Sequence, residues 1–290
     1  MESLEISKQL ILRDYPQFRN AALRLNTDGW DNLVLIMDER VAFRIPRNKL
    51  SRKQLRVELH YLPQIAAVSP LPVPIYTFFS KEPGLYAGYE LIPGQPFERK
   101  FFNECTKTQQ TEIAKLIGAF LSTLHRLEIN EKSNSKLPVR RQNRQSWLDL
   151  HAEVLSKAAD MLNAIHKKKI DELFSYILEE IHFDELPKVL IHGDFSSDHI
   201  IYDPVRKGIS GIIDFGDLMI GDPAYDFTGI LLEYGRLFLD EVLEYYELPL
   251  DEAFLERIEQ FYIPKGSLHQ LLYAIEQGDE RFVSQAIHMM

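Results

Sequence analysis

The sequence predicts an α+β fold, with an antiparallel sheet and a helix in the N-terminal part and a mostly helical C-terminal part. Three observations predict it. Short apolar runs separated by turn residues fill the first ninety positions after an opening helical stretch. Apolar residues at helical spacing dominate from residue 109 onward. Between residues 188 and 213 two further short apolar runs interrupt the helices, and each ends in an acidic cluster. The chain has 290 residues and is 45% hydrophobic, which suffices for a buried core and for two lobes or domains.

The elements follow in order. Residues 4–15 place Leu4, Ile6, Leu10 and Ile11 at helical spacing and stop at Pro16. Residues 22–25 form a first short strand. Thr27-Asp28-Gly29-Trp30-Asp31-Asn32 then leads into strands at 33–37 and 41–45, with Asp38-Glu39-Arg40 as their turn. Residues 51–65 read as a helix with Leu55, Leu59 and Leu62 on one side. Strands at 73–79 and 85–91 flank a Glu82-Pro83-Gly84 turn. Residues 109–127 form a strongly amphipathic helix with Thr108 as N-cap. His125 near its end is structural. Residues 131–144 are polar, hold five Lys/Arg and read as a surface loop. Helices follow at 147–163 and 170–183. Asp222-Pro223 opens another helix through Leu231 and Leu239, and helices at 252–262 and 267–290 complete the chain.

The two late runs, 188–191 and 209–213, read as buried strands. The first delivers His192, Asp194, Asp198 and His199 within eight positions; the second delivers Asp214 and Asp217, with Asp222 and Asp226 behind. Two carboxylates on neighbouring strand ends repel unless a cation lies between them. A hard cation such as Mg²⁺ suits oxygen ligands and leaves room for phosphates.

His192-Gly193-Asp194 resembles the histidine-x-aspartate of a kinase catalytic loop, and Ile213-Asp214-Phe215-Gly216 resembles the metal-binding aspartate-phenylalanine-glycine. The chain is most similar to the aminoglycoside phosphotransferase family of small-molecule kinases. Ser196-Ser197-Asp198-His199 looks most like the aminoglycoside 2''-phosphotransferases, with macrolide phosphotransferases as the second match. The resemblance implies a protein-kinase-like two-lobed fold: a nucleotide-binding lobe at 1–92 ending in the hinge, and a catalytic and substrate-binding lobe at 93–290.

It implies roles as well. Asp194 takes the proton of the attacking hydroxyl, and Asp214 and His199 hold Mg²⁺. His199 stands where the kinase pattern has asparagine. Imidazole is the softer ligand, which leaves the number of metal ions and the fitness of Mn²⁺ open. His192 props the loop, and Asp226 holds it by hydrogen bonds. Arg44, in Val41-Ala42-Phe43-Arg44-Ile45-Pro46, replaces the phosphate-contacting lysine; Glu58, fourteen residues on, is its partner. This segment looks more like the macrolide kinases. Gly29 and Asn32 belong to the loop over the phosphates. Glu90 and Ile92 offer hinge backbone groups to the purine of ATP or GTP, with Tyr89 behind them.

Asp198, Asp217 and Glu233 are the substrate-contact candidates. The acceptor implied is a small cationic hydroxylated molecule, an aminoglycoside. The alternatives are a macrolide kinase, an amino-alcohol or sugar kinase, and a nucleotide-binding pseudokinase. Net charge is −10, which argues against a basic nucleic-acid face and suits a cationic substrate. From 217 to 259 there are twelve Asp/Glu and two Arg, most of them on solvated helix faces. No run approaches the length of a membrane span, and the first ten residues lack a signal-peptide pattern. The single cysteine, Cys105, suits a reducing cytoplasm. A cytoplasmic monomer is expected.

Overall fold

The computed structural model describes residues 2–26, 31–81, 86–128, 140–180, 185–278 and 280–288. Helix α1 (Glu2–Asp14) leads into strands β1 (Leu23–Asn26), β2 (Asn32–Met37) and β3 (Val41–Pro46), then helix α2 (Lys49–Val68), β4 (Tyr76–Phe79) and β5 (Ala87–Glu90). The five strands form one antiparallel sheet in the order β1-β2-β3-β5-β4. Asp38 and Glu39, at positive φ, turn the chain between β2 and β3.

Strand β3 is buried along its whole length, and its two faces do different things. Val41, Phe43 and Ile45 pack with Ile11 of α1, Met37 and Tyr86. Ala42 and Arg44 alternate onto the opposite face, because successive strand side chains point to opposite sides. There Ala42 joins Ile36 and Tyr89 in a separate small apolar cluster. Asn48 caps α2 by accepting from the Ser51 amide. Tyr61, Leu62 and Ile65 of α2 belong to the large core of the C-terminal part.

That part is mostly helical. It comprises α3 (Arg99–Glu104), α4 (Lys107–Arg126), α5 (Arg144–Lys157), α6 (Ala164–Ser175), α7 (Thr228–Tyr234), α8 (Arg236–Glu244), the single turn α9 (Phe254–Glu256), α10 (Ile263–Gln277) and α11 (Glu280–His288). Two three-stranded sheets lie among them. One has the order β10 (Gly208–Ile212), β9 (Ile200–Asp203), β6 (Gln95–Pro96). The other has the order β7 (Arg140–Arg141), β11 (Met219–Gly221), β8 (Val189–Ile191). The α+β architecture expected from the sequence is therefore present.

Several boundaries differ from expectation, each for a local reason. Thr106, not Thr108, caps α4, because Thr106 and Gln109 exchange side-chain-to-backbone bonds in a reciprocal capping box. Only Tyr76–Phe79 of the expected 73–79 strand pairs; Pro72 and Pro74 have no N–H to offer a ladder. Asn143 and Asn163 each cap a helix, so the expected helices at 147–163 and 170–183 begin earlier, at Arg144 and Ala164, and the first ends at Lys157. Gly235 and Gly278, both at positive φ, divide the helix expected through Leu231 and Leu239 and the helix expected at 267–290. Arg140 and Arg141, expected in a loop, pair with β11; 131–139, like the Glu82–Gly84 turn, lie outside the described residues.

The two apolar runs that lead to the acidic clusters, β8 and β10, are not neighbours: β8 pairs with β11 and β10 with β9. Their ends meet through side chains instead, as His192 Nε2 donates to the Ile213 carbonyl at 3.1 Å.

A buried ion network fastens the turn before α7. Arg257, 1% exposed, donates to Asp222 and Asp251, and the Tyr262 hydroxyl donates to Asp222 at 2.8 Å. Removing one member of a buried pair strands the other charge. Arg257→Met is expected to cost about 3–5 kcal/mol in urea denaturation, whereas Tyr262→Phe costs about 1 kcal/mol.

Candidate active site

The catalytic-loop candidate begins where β8 ends. Asp226, fully buried, accepts the backbone amides of His192 at 2.7 Å and Gly193 at 2.9 Å. His125 of α4 contacts the same carboxylate through Nε2 at 3.1 Å, and its Nδ1 meets the Tyr246 hydroxyl at 2.8 Å. His125 is thus structural, and Asp226 holds the loop, as expected. Burial keeps the His192 ring below its ordinary pKa, so it is neutral. Its Nε2–H then serves Ile213, and its Nδ1 accepts the Asp194 amide at 3.4 Å.

Gly193 takes φ +83°, and a Cβ there would overlap the Asp217 carbonyl oxygen. The loop folds this way only with glycine. Asp194 follows with its side chain 55% exposed, free to face an incoming molecule.

Arg44 ties the sheet to the second acidic cluster. Its side chain is 6% exposed, with Nη1 donating to Glu58 Oε1 and Nη2 to Asp214 Oδ1, both at 2.9 Å. The Tyr76 hydroxyl donates to the same Glu58 oxygen at 3.0 Å. Burial raises the Glu58 carboxyl, against the pull of Arg44. Burial would raise Asp214 too, but Arg44 and His199 hold it below the usual carboxylate range. Asp214 sits in the left-handed region at φ +61°, a conformation that costs a non-glycine residue energy and persists when its surroundings impose it.

His199 completes the group. Its Nδ1 donates to the Asp194 carbonyl at 2.7 Å and lies 3.5 Å from the Asp194 carboxylate; its Nε2 lies 3.8 Å from Asp214 Oδ2. Burial lowers the ring, but Asp194, Asp214 and Asp198 outweigh it and raise its pKa. With Nδ1 committed to a carbonyl, the neutral ring carries its lone pair on Nε2, facing Asp214. These two donors fit a divalent cation that takes its other ligands from phosphates and water. Among the described residues no group of three or more His, Cys, Asp or Glu forms a closed metal cluster.

Arg44, Glu58, Asp194, His199 and Asp214 therefore converge. Asp217 lies beside them, with Gln54 Nε2 3.5 Å from its Oδ1. Asn32 is buried at the start of β2. Tyr89 packs edge-on against Tyr76 at 5.2 Å, and Glu90 is exposed at the end of β5. Ile92 is half-buried, near β10. Glu233 is engaged elsewhere: it accepts the Arg99 amide at 3.0 Å at the start of α3. Asp198 is exposed. Gly29 lies outside the described residues. Sequence reasoning missed Tyr76, Gln54 and the packing of Ile36 and Ala42 with Tyr89; period-2 alternation along β3 was the available signal for Ala42.

The model of the phosphotransferase enzyme family (APH) matches residues 22–262. The chain belongs to this family. Viomycin phosphotransferase from Streptomyces vinaceus is 26% identical over 204 residues, which are 68% of this chain and 66% of that protein, so the match spans just under two thirds of the relative. The fold of this family member is close to that of an aminoglycoside 2''-phosphotransferase solved with GDP and kanamycin: TM-score 0.86 at 22% identity, covering 97% of this chain and 96% of the other. A macrolide 2'-phosphotransferase from Brachybacterium faecium gives TM-score 0.69 at 19% identity, over 92% of this chain and 91% of the other.

For this phosphotransferase-family chain, Gly193→Ala is expected to lower unfolding free energy by about 1–3 kcal/mol through backbone strain and to displace Asp194. Thermal melting and the nucleotide-consumption rate check it.

Proposed function

We propose that this protein is an antibiotic kinase that transfers the γ-phosphoryl group of ATP or GTP to a hydroxyl of an aminoglycoside or a similar cationic antibiotic. The observation that carries the reading is Arg44 bridging Glu58 and Asp214 under cover, with His199 set between the Asp214 and Asp194 carboxylates. Structural ion pairs are common, but this one places a half-exposed carboxylate beside a donor pair suited to a divalent cation.

In this reading residues 1–92 are the nucleotide-binding lobe and 93–290 the catalytic and substrate-binding lobe. The cluster of Ile36, Ala42 and Tyr89, with Val34 and Leu91 against it, offers an apolar surface to the purine. Backbone groups of Glu90 and Ile92 offer hydrogen bonds, and Asn32 belongs to the segment proposed to cover the phosphates. Arg44, held by Glu58, is the cation of the nucleotide site. Asp214 and His199 would hold Mg²⁺, which when bound neutralises charge on the phosphates. Asp194 orients the acceptor hydroxyl and takes its proton. Asp198 and Asp217, and Glu233 with its second oxygen, attract ammonium groups of the acceptor.

The net charge of −10 supports a cationic partner rather than nucleic acid. Among the described residues no helix is long and apolar enough to cross a membrane. The proposal includes a cytoplasmic monomer. Macrolides are a second acceptor class, favoured by the Arg44 segment.

The test is nucleotide consumption with ATP and GTP against kanamycin, viomycin, a macrolide and small amino alcohols. Turnover of one class at saturable, micromolar KM supports the reading; nucleotide binding without turnover of any acceptor points instead to a pseudokinase. Asp194→Asn is expected to keep nucleotide affinity and lose about 10²-fold or more in kcat; near-normal kcat removes Asp194 from the chemistry. Tyr89 at the back of the purine surface favours GTP at least equally with ATP. A KM for GTP about tenfold or more above that for ATP, ~1.4 kcal/mol of lost binding, sinks that preference.

A further inference from the structure

Gln54 lies one helical turn before Glu58 on α2, so both side chains share a face of the helix. That face meets the Asp214-Phe215-Gly216-Asp217 segment at two places. Glu58 reaches it through Arg44, which donates to both Glu58 and Asp214. Gln54 reaches it at Asp217, with Nε2 3.5 Å from Oδ1. The same Nε2 lies 3.4 Å from Oδ2 of Asp31, the residue that leads into β2. Asp31 is fixed further by the Ser51 hydroxyl at 3.2 Å, and its carbonyl accepts the Arg47 amide at 2.9 Å.

The amide orientation follows from charge. Only the NH₂ end can face two carboxylates, so Oε1 is turned inward. There it is buried, with no hydrogen-bond partner among the described residues. A buried carbonyl oxygen without a partner carries a free-energy cost. A residue present only for packing would not carry it; a leucine or methionine would fill the space without cost.

We propose that Gln54 is a positioning residue that joins the entry of β2 to the segment after Asp-Phe-Gly, so that one side chain sets the nucleotide side, through Asp31, and the acceptor side, through Asp217. Glu58 fixes the metal-binding end of that segment and Gln54 fixes its far end. Helix α2 thereby clamps four consecutive residues at both ends. The inference rests on the phosphotransferase reading for the meaning of the two sides, but the bridge itself is a property of the fold.

The first test is hydrogen–deuterium exchange on the full-length protein without ligand. In Gln54→Met, which keeps length and removes the donor, amides of residues 31–37 and 214–221 are expected to exchange about tenfold faster together, as locally loosened units do. Amides of 113–124 and 87–90 stay unchanged. Faster exchange confined to α2 overturns the bridge. The second test is calorimetric titration with GDP. Gln54→Met is expected to weaken GDP about tenfold, and adding Asp31→Asn is expected to cost nothing more, because coupled groups are non-additive. Unchanged affinity, or additive losses, overturns it.

Gln54→Glu keeps the shape and sets a third carboxylate between two others. It is expected to weaken GDP at least as much, and it carries the exchange comparison if Gln54→Met fails to melt cooperatively. A wild-type protein that phosphorylates no acceptor sinks the kinase reading alone; the exchange comparison still decides the bridge.

Discussion

A guanidinium shared between two carboxylates organises this molecule. Arg44 is almost completely buried, and its two terminal nitrogens reach Glu58 on α2 and Asp214 beyond β10. Charges withdrawn from water are tolerated only when paired and hydrogen-bonded. The sheet, the helix and the second acidic cluster must therefore stay in register for the pair to survive. Arginine suits the task because its fork addresses two partners from fixed positions. Two carboxylates against one guanidinium leave negative charge over, and on the Asp214 side the second oxygen, Oδ2, faces His199.

A second carboxylate does for the catalytic loop what Arg44 does for the sheet. Asp226 takes two consecutive backbone amides, and His125 with Tyr246 backs it from α4 and the end of α8. Two amides pointing at one carboxylate require a tight turn, and Gly193 supplies it. The outcome is a rigid loop whose polar backbone is satisfied inward, so the Asp194 side chain is left for solvent. Rigid scaffolds that present one exposed group are the general arrangement of catalytic loops.

The chemistry-bearing residues were legible because they are local. His192, Asp194 and His199 lie within one loop, and Asp214 and Asp217 within another, so residue type and spacing suffice to mark them. The Arg44–Glu58 pair was legible through the fourteen-residue interval across a strand and a helix. Tyr76, Gln54 and Asp31 were not, since each acts on a partner remote in sequence; Gln54 and Asp217 are 163 residues apart. The strands β9 and β11 escaped notice because three or four residues carry too little periodicity. Thr108 was expected as the cap in place of Thr106, because either threonine suits a helix start and only the bond with Gln109 distinguishes them.

The sequence by itself determined the class of fold, the two acidic clusters and the family to which the chain belongs, because these depend on patterns within a few tens of residues. Tertiary structure alone decided that β8 and β10 lie in separate sheets, that Glu233 is drawn to the start of α3, and that Arg44 divides itself between Glu58 and Asp214. Each of those outcomes depends on which polar group finds a partner when distant segments pack. That competition is settled by desolvation and geometry in three dimensions, and no local pattern records it.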